Sequence, residues 1–376
     1  MLSSFTVENF KAFNKPVTIN FSSTGNYTFN QDAIKNGICK TALMYGTNAS
    51  GKTSLCLALF DIVKNLTDKY FPQGKYSVYQ NSYRIDEPAS FEYKFTFDST
   101  NAIYRYKKSD VNTLLSESLE IDNQTVFIYD RTDEDQTDKQ LQIKLKGAES
   151  LNIKLSDLKI SLFRFVKNNS NLEDNHINDI FYKIYSFVDR MLLFWSNEDR
   201  GFVGYGTNPS ENIISYIIKK DNFDSLKKLF KEAGYDDQLG YEKDDLNYRL
   251  NIIYGTNKID FGKVASNGMK ALLLFYFWLE NCKYEDLCPS FICIDEFDAF
   301  YHFELSNFLV KKLKKLNCQV FLTSHNTYNF SNELLRPDCY FICSKERIIN
   351  AHNSTDKELR LGHNLEKLYR GGAFGL

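Results

Sequence analysis

Alternating apolar and polar residues open the chain and recur between residues 90 and 130. The first alternation predicts two short strands, Ser4–Asn9 and Val17–Phe21. The later one predicts an antiparallel meander, with runs at Ser90–Phe97, Ala102–Tyr106 and Gln124–Tyr129. A polar segment, Arg131–Lys139, then breaks the pattern, which is typical of a loop or of the border of an insertion.

Helical spacing replaces the alternation from about residue 150 to about residue 235. Apolar residues at intervals of three and four predict an amphipathic helix that packs on the core, and Asp174 or Asn175 would cap its start. The apolar face consists of Ile177, Ile180, Phe181, Ile184, Phe187, Val188, Met191 and Leu192. Such a face could instead bind a partner. No heptad pattern is sustained, so a long coiled-coil arm is not expected.

The pattern changes again at about residue 250, where a long apolar helix, Met269–Glu280, precedes three continuous apolar runs. These runs are Phe291–Ile294, Val320–Leu322 and Tyr340–Cys343. They suit strands that are buried on both faces of a mostly parallel sheet. We therefore expect an α/β fold with a mixed sheet, flanking helices and an antiparallel β subdomain. The predicted division is an N-terminal lobe at 1–131, a mostly helical insertion or partner-binding region at 132–250 and a C-terminal lobe at 251–376.

Composition narrows the class of protein. The chain has 376 residues, 43% of them hydrophobic, which suffices for a large core, and its net charge of −2 gives no indication of nucleic-acid binding. The eight cysteines form no C-x-x-C pair, so they are expected to be reduced core residues and not a disulfide framework or a zinc site. No apolar run is long enough to span a membrane, and the start lacks a leader pattern. A cytoplasmic location is expected.

The segment from Gly46 to Thr53 (GTNASGKT) fits the phosphate-binding loop G-x-x-x-x-G-K-[ST]. An apolar run precedes it and a helix-spaced run follows, which is the strand–loop–helix context that the motif needs. Gly46, Asn48, Ser50, Gly51 and Ser54 would surround the phosphates with backbone N–H groups. Lys52 would contact the β- and γ-phosphates, and the Thr53 hydroxyl would bind Mg²⁺.

Two acids and a histidine follow the next apolar runs. Asp295 and Glu296 end the run at 291–294, where Asp295 could hold Mg²⁺ and Glu296 could polarise an attacking water. His325 follows the next strand and could reach the γ-phosphate. Ser266 and Gly268 precede the long apolar helix, where they form either a second anion site or a simple helix cap.

This order of motifs resembles the ABC-class ATPases, in particular their SMC, RecF and OLD branch. The segment Val7–Phe13 resembles the opening strand motif of that branch. The nearest similarity is to small AAA ATPases of bacterial anti-phage and abortive-infection systems, including the ATPase subunit of the PARIS system. Their C-terminal hallmark resembles Leu365–Gly375.

The resemblance implies an ATPase, slow and dependent on ATP and Mg²⁺, in which Ser266 and Gly268 contact the γ-phosphate held by a second subunit. Two ATP molecules would then lie in a head-to-tail homodimer or a higher oligomer, with Asp298 at the interface and Lys11 near the phosphates of its own site. Gln80 is a weak candidate for the glutamine loop. Relatives commonly have an acid before the signature serine and a threonine after the glycine, which Ala265 and Met269 replace here. The implied role is a nucleotide-gated sensor that controls a separate effector, a nuclease or a toxin.

The sequence also bears on four other functions. A GTPase is suggested by Asp237–Gly240 (DxxG) and Asn257–Asp260 (NKxD), but too few residues separate the two motifs for the elements that should lie between them. An intrinsic nuclease would need an acid cluster after His325, which the sequence lacks. A RecF-like ATPase that binds DNA and an ATP-dependent scaffold that does not hydrolyse ATP stay open.

Overall fold

The structure is a computed structural model. It describes residues 1–69, 71–131, 141–151, 153, 158, 160–195, 202–205, 212–245 and 247–375. Most of the predicted polar segment at 131–139 lies outside the described residues.

The strands are β1 (Leu2–Glu8), β2 (Val17–Asn20), β3 (Ile34–Lys35), β4 (Ile38–Cys39), β5 (Thr41–Tyr45), β6 (Ala89–Phe97), β7 (Thr100–Lys108), β8 (Leu114–Ile121), β9 (Gln124–Asp130), β10 (Gln142–Ile143), β11 (Met191–Trp195), β12 (Phe202–Gly204), β13 (Gln238–Asp244), β14 (Asn247–Tyr254), β15 (Asn257–Asp260), β16 (Phe291–Asp295), β17 (Gln319–Ser324), β18 (Tyr340–Cys343) and β19 (Ile348–Asn350). The helices are α1 (Lys52–Leu66), α2 (Leu162–Asn169), α3 (His176–Asp189), α4 (Ile213–Lys219), α5 (Phe223–Glu232), α6 (Phe261–Val264), α7 (Asn267–Asn281), α8 (Phe303–Leu313) and α9 (Leu365–Arg370).

An antiparallel sheet contains the predicted N-terminal strands and the predicted meander. Its order is β10-β9-β8-β7-β6-β1-β2, and each described pairing is antiparallel. The sequence pattern did not single out β8, because Glu117 occupies one of its buried positions and interrupts the apolar alternation. The predicted antiparallel β subdomain is confirmed.

A second sheet holds the continuous apolar runs and has the order β12-β11-β16-β17-β5-β18-β19. Its five inner strands run parallel, and β12 and β19 pair antiparallel at the two edges. Every residue of β5, β11 and β16 is buried, as expected for strands covered on both faces. The predicted α/β class with a mixed sheet is confirmed.

The helix predicted over the apolar positions 177–192 is shorter than expected. Asn175 caps α3, because its side chain accepts a hydrogen bond from the Asn178 N–H, and the helix ends at Asp189. The extension to Met191 and Leu192 was wrong, since both residues belong to β11, which pairs in parallel with β16. Met191–Trp195 is apolar at every position, so periodicity alone does not separate a buried strand from the end of a helix.

Region 132–250 contains both helices and strands. Helices α2 to α5 lie within it, but so do β11 and β12 of the parallel sheet and most of a small sheet with the order β13-β14-β15. The three-part division of the chain stays a prediction. Strands β11 and β12 show that the middle region contributes to the parallel sheet.

A buried ion pair joins the two large sheets through α1. The Lys108 ammonium on β7 lies 3.0 Å from the Asp61 carboxylate on α1, and their side chains are 1% and 0% exposed. The Tyr79 and Tyr106 hydroxyls each donate a 2.9 Å hydrogen bond to the same carboxylate. Burial of two charges is tolerated when hydrogen bonds satisfy them, as they do here.

A second buried acid fixes the start of α2. Glu117 accepts hydrogen bonds from the Leu162 and Phe163 N–H groups, at 2.6 and 3.0 Å, and from the Tyr104 hydroxyl at 3.0 Å. Burial raises the pKa of Glu117 to about 7, although these donors and the Arg131 charge act in the opposite direction. The carboxyl group at the start of α2 therefore keeps its proton to a higher pH than an exposed glutamate does.

We expect Lys108→Met to lower the free energy of unfolding by about 3–5 kcal/mol, because the Asp61 charge would stay buried without its partner. Urea denaturation followed by circular dichroism measures this. The matched control is Arg360→Met, which breaks the pair of Arg360 with Glu358, both 73% exposed, and should change stability by less than about 1 kcal/mol. Equal effects of the two variants would contradict the assigned role of the buried pair.

We expect Glu117→Gln to flatten the pH dependence of stability between about pH 4.5 and about pH 7. The folded chain holds the Glu117 proton more tightly than the unfolded chain, so the stability linked to this group is full below its unfolded pKa and falls as the pH rises through 7. Urea midpoints at several pH values measure the slope. Glu120→Gln, on the same strand, should keep the parent slope, and loss of that slope in this control would sink the assignment.

Candidate functional site

The predicted phosphate loop connects β5 to α1. Gly51 caps α1 at φ 107°, and a Cβ there would lie 2.9 Å from the Phe13 ring, so backbone conformation and space both require glycine. Ala49 also has a positive φ of 60°. The loop is therefore a sharp, glycine-dependent turn at the N-terminus of a helix, which is the geometry that binds phosphate.

Lys52 is buried beneath this loop, with 4% of the residue's surface exposed. Its ammonium donates to the Gly46 and Thr47 carbonyls at 2.7 and 3.0 Å and lies 3.2 Å from His325 Nδ1. Burial lowers the pKa of Lys52, while nearby acids and thiols oppose the shift. The ammonium therefore lies in a poorly solvated place next to the helix N-terminus.

His325 links Lys52 to Glu296. Its Nδ1 faces the Lys52 ammonium, and its Nε2 lies 3.1 Å from Glu296 Oε1. Because an ammonium only donates, Nδ1 accepts from Lys52, which leaves Nε2 as the hydrogen-bond donor to Glu296 Oε1. The structure thus brings together the three predicted catalytic residues in one hydrogen-bonded series.

Asp295 lies at the buried end of β16, with 2% of its surface exposed. It accepts a 2.6 Å hydrogen bond from the Thr323 hydroxyl, and the Thr53 hydroxyl lies close enough to its carboxylate to affect the pKa. Burial raises the pKa of Asp295, and both hydroxyls lower it. A carboxylate beside a hydroxyl at the start of a helix is a set of oxygen donors that suits Mg²⁺, so both predicted metal ligands lie together.

Thr323 was not predicted as a site residue. Its hydroxyl donates to Asp295 and accepts a 2.8 Å hydrogen bond from the Glu296 N–H, while Glu296 itself has a positive φ of 51°. One hydroxyl therefore positions both acids. The sequence signal for Thr323 is the Thr323–Ser324–His325 segment at the end of an apolar run. Only the histidine of this segment was predicted as a site residue.

A cavity of about 570 Å³ lies beside these groups. Three lysines line it, Lys11, Lys52 and Lys345, together with Glu296 and His325. The other lining residues are Ala12, Ala49, Ser50, Gly51, Thr53, Ser54, Asn81, Ser82 and Tyr83. The excess of cationic groups fits a polyphosphate.

Of three further residues predicted near the phosphates, only Lys11 lines the cavity. Lys11 lines the cavity as expected, although its ammonium donates to the Val78 carbonyl at 2.8 Å. Asn48 is exposed and does not line the cavity. Gln80 donates to the Ser109 carbonyl, and its neighbours at 81–83 line the cavity in its place.

The predicted signature lies at the start of α7. Ser266 caps the helix and accepts a 3.2 Å hydrogen bond from the Met269 N–H. A Cβ on Gly268 would lie 3.1 Å from the Phe300 carbonyl, so the helix start packs on the loop that follows Glu296. Neither residue lines the phosphate-loop cavity. Asp298, on that loop, accepts hydrogen bonds from Ser324 and Asn329 at 2.6 and 3.1 Å.

The C-terminal hallmark supports the loop that follows His325. Phe330 stacks on Tyr45 at 5.0 Å and contacts Phe374 at 5.5 Å. Glu366, on α9, accepts a hydrogen bond from the Thr327 hydroxyl at 3.1 Å. Tyr45 ends β5 immediately before Gly46, so one aromatic group packs against both the phosphate loop and the histidine loop.

The two GTPase-like motifs, DxxG and NKxD, lie away from the cavity. Asn257–Asp260 forms β15, paired with β14, and Asp260 caps α6. Neither this segment nor Asp237–Gly240 lines the cavity.

Residues 42–330 match a protein family described as "AAA domain, putative AbiEii toxin, Type IV TA system". The chain belongs to this family. It is thus an AAA-type ATPase, as the sequence motifs predicted. A comparison with curated proteins gave no match.

Two solved structures are similar to this AAA-domain chain over most of its length. One is the SMC head domain from Thermotoga maritima, with 13% identity, coverage of 93% of this chain and 98% of that chain, and a TM-score of 0.42. The other is an SmcHead bound to the C-winged helix domain of ScpA, with 14% identity, coverage of 93% and 96%, and a TM-score of 0.47. Among the described helices, none is both long and apolar enough to cross a membrane.

We expect Thr323→Val to lower the rate of ATP hydrolysis by about tenfold, equivalent to ~1.4 kcal/mol, because both acids lose the hydroxyl that positions them. Steady-state phosphate release and equilibrium nucleotide binding measure the two effects, and binding should be retained.

The matched control is Thr41→Val on β5. The Thr41 hydroxyl is buried and has no hydrogen-bond partner among the described residues. This variant should hydrolyse ATP at the parent rate, and an equal loss in both variants would show a general packing effect.

Proposed function

We propose that this AAA-domain chain binds ATP in the cavity beside Lys52 and hydrolyses it slowly to ADP and phosphate. The observation that carries the proposal is the hydrogen-bonded series of Lys52, His325 and Glu296 next to the Thr53–Asp295 pair. These residues come from three separate segments of the chain, and their meeting at one cationic cavity is the arrangement that phosphoryl transfer to water needs.

Each residue has a distinct task in this mechanism. Lys52 would exchange the Gly46 and Thr47 carbonyls for the β- and γ-phosphate oxygens, with Ser50, Gly51 and Ser54 supplying backbone N–H groups. Glu296 would accept the proton of the attacking water, and His325 would hold the Glu296 carboxylate and reach the γ-phosphate. Asp295 and Thr53 would hold Mg²⁺, which neutralises phosphate charge when bound.

We further propose that the site is completed by a second copy of the chain. Ser266 and Gly268 lie outside the cavity lining of their own chain, and Gly268 packs on the loop that carries Asp298. The start of α7 has a helix dipole that favours a bound anion. A head-to-tail homodimer would place this helix start against the γ-phosphate that the other copy holds, with Asp298 near the interface.

The proposed biological role is a nucleotide-gated switch in a bacterial antiviral system. ATP would join two chains and hydrolysis would separate them, and a partner responds only to a surface that differs between these states. The family description names a putative toxin and a type IV TA system, which fits a role in such a system. The effector in this proposal would be a separate protein, a nuclease or a toxin. Co-purification from the native operon followed by mass spectrometry tests that step.

DNA binding by a RecF-like ATPase is the second candidate, and gel-shift assays with duplex DNA test it.

Mixing two inactive variants tests the composite site. Lys52→Ala should abolish ATP binding, and Ser266→Arg should bind ATP but neither dimerise nor hydrolyse it. An equal mixture should recover up to about half of the parent hydrolysis rate, because each mixed dimer holds one complete site. Phosphate release and light scattering measure activity and assembly.

Glu296→Gln serves as the chemical control in the same assays. It should bind ATP and remain dimeric, because the water loses its base while the proposed Mg²⁺ ligands remain. A mixture of Lys52→Ala and Glu296→Gln chains should not exceed the sum of their separate rates if water attack uses Glu296 of the same chain as Lys52. Full activity of Ser266→Arg alone would overturn the shared site, and GTP bound far more tightly than ATP would overturn the choice of nucleotide.

A further inference from the structure

Three cysteines from different parts of the fold meet near the starts of β16 and β17, away from the candidate site. The sulfur atoms of Cys282, Cys288 and Cys318 all lie within 4.8 Å of one another. Cys282 follows the last turn of α7, Cys288 precedes β16, and Cys318 immediately precedes β17. The expectation that the cysteines form no zinc site rested on the lack of a C-x-x-C pair. That test does not detect a cluster drawn from three elements.

The spacing of the sulfur atoms is close to that of a thiolate metal site. A Zn–S bond of about 2.3 Å places the sulfurs of a tetrahedral site about 3.8 Å apart. The observed separations therefore require shifts of about 1 Å or less, which rotation about the cysteine χ1 bonds supplies.

Burial leaves one side of the cluster accessible. Cys288 and Cys318 are buried, whereas Cys282 is only partly buried. Cys282 also lines a cleft of about 390 Å³, together with residues of α5, α7 and α8. The cleft gives a metal ion an access route and leaves room for a water molecule as a fourth ligand.

The surrounding positive charges would stabilise the negative charge that the cysteine cluster carries once it binds a divalent cation. Three thiolates around a divalent cation carry a net charge of −1. The positive charge of Arg190 lies close enough to Cys288 to act on it electrostatically. Lys228, Lys283, Lys312 and Lys315 line the cleft, alongside Glu232 and Glu280. Cationic groups therefore exceed acids around the opening.

We propose that Cys282, Cys288 and Cys318 bind one thiophilic divalent cation, Zn²⁺, with a fourth ligand from the cleft. Thiolates select this class of metal over the oxygen-preferring Mg²⁺. Binding releases the remaining thiol protons to solvent and involves no redox step.

The metal would tie together three elements that serve the ATP site at their far ends. Helix α7 starts at the Ser266–Gly268 signature, β16 ends in Asp295, directly before Glu296, and β17 ends directly before His325. Zinc at the cysteine cluster would hold the other ends of all three in one place. The cluster is separate from the cavity, and this proposal does not depend on the proposed ATP mechanism.

Metal titration of the full chain tests the proposal. The protein is stripped with a chelator under a phosphine reductant, desalted and titrated with Co²⁺, then with Zn²⁺. One Co²⁺ per chain should give the sulfur-to-cobalt charge-transfer absorption of a thiolate site, which oxygen ligands cannot produce, and Zn²⁺ should displace it. Zinc should also raise the melting temperature, because it binds the folded chain.

Three variants complete the design. Cys282→Ser and Cys318→Ser should each lose the charge-transfer band and the zinc-dependent shift in melting temperature. Cys282 is partly exposed, so its variant should fold even if the Cys318 variant does not. Cys39→Ser alters a buried cysteine outside the cluster and should bind like the parent.

Absence of the charge-transfer band in the parent would overturn the proposal. So would a band that survives in Cys282→Ser. A disulfide between two of the three cysteines in freshly purified protein, with no metal bound after reduction, would assign the cluster to thiol oxidation and would also overturn it.

Discussion

The Asp61 carboxylate in the middle of α1 is the constraint on which the arrangement of the molecule depends. The residue belongs to the helix that begins at the phosphate loop. Lys108 and Tyr106 of the antiparallel sheet bind its carboxylate, and so does Tyr79, which precedes the cavity-lining residues 81–83. A buried charge cannot move away from its partners without a large cost in solvation. The orientation of α1 relative to that sheet is therefore fixed by one residue, and the position of residues 81–83 follows from it.

The two halves of the candidate site are held by different kinds of interaction. The loop side depends on tight backbone packing, in which the Phe13 ring leaves no room for a side chain on Gly51. The acid side depends on a hydroxyl, since Thr323 bonds to both Asp295 and the Glu296 N–H. Small displacements of β17 would therefore move the acids and His325 together, so the groups of this side form a unit.

Local patterns were sufficient to predict much of the fold. The phosphate loop, β16 and β17 are each encoded by contiguous residues. Their spacing and apolarity were enough to predict the loop and the two strands. Strands β8 and β11 were harder, because Glu117 breaks one alternation and the apolar run at 191–195 resembles a continuation of α3. The site showed the same division. Lys52, Asp295, Glu296 and His325 were predicted from motifs. The role of Thr323 depends on its contacts with two acids at the end of another strand, and the cysteine cluster depends on packing between separate elements.

The strand order also bears on how the chain acquires its binding site during synthesis. Strand β5, which leads into the phosphate loop, lies between β17 and β18 and pairs in parallel with both. Both partners are encoded far downstream, so the loop has no rigid strand behind it while the first half of the chain leaves the ribosome. Pairings between distant segments form late, because closing long loops is entropically unfavourable. We therefore expect the phosphate loop of a nascent chain to lack its final support until β17 and β18 have been synthesised.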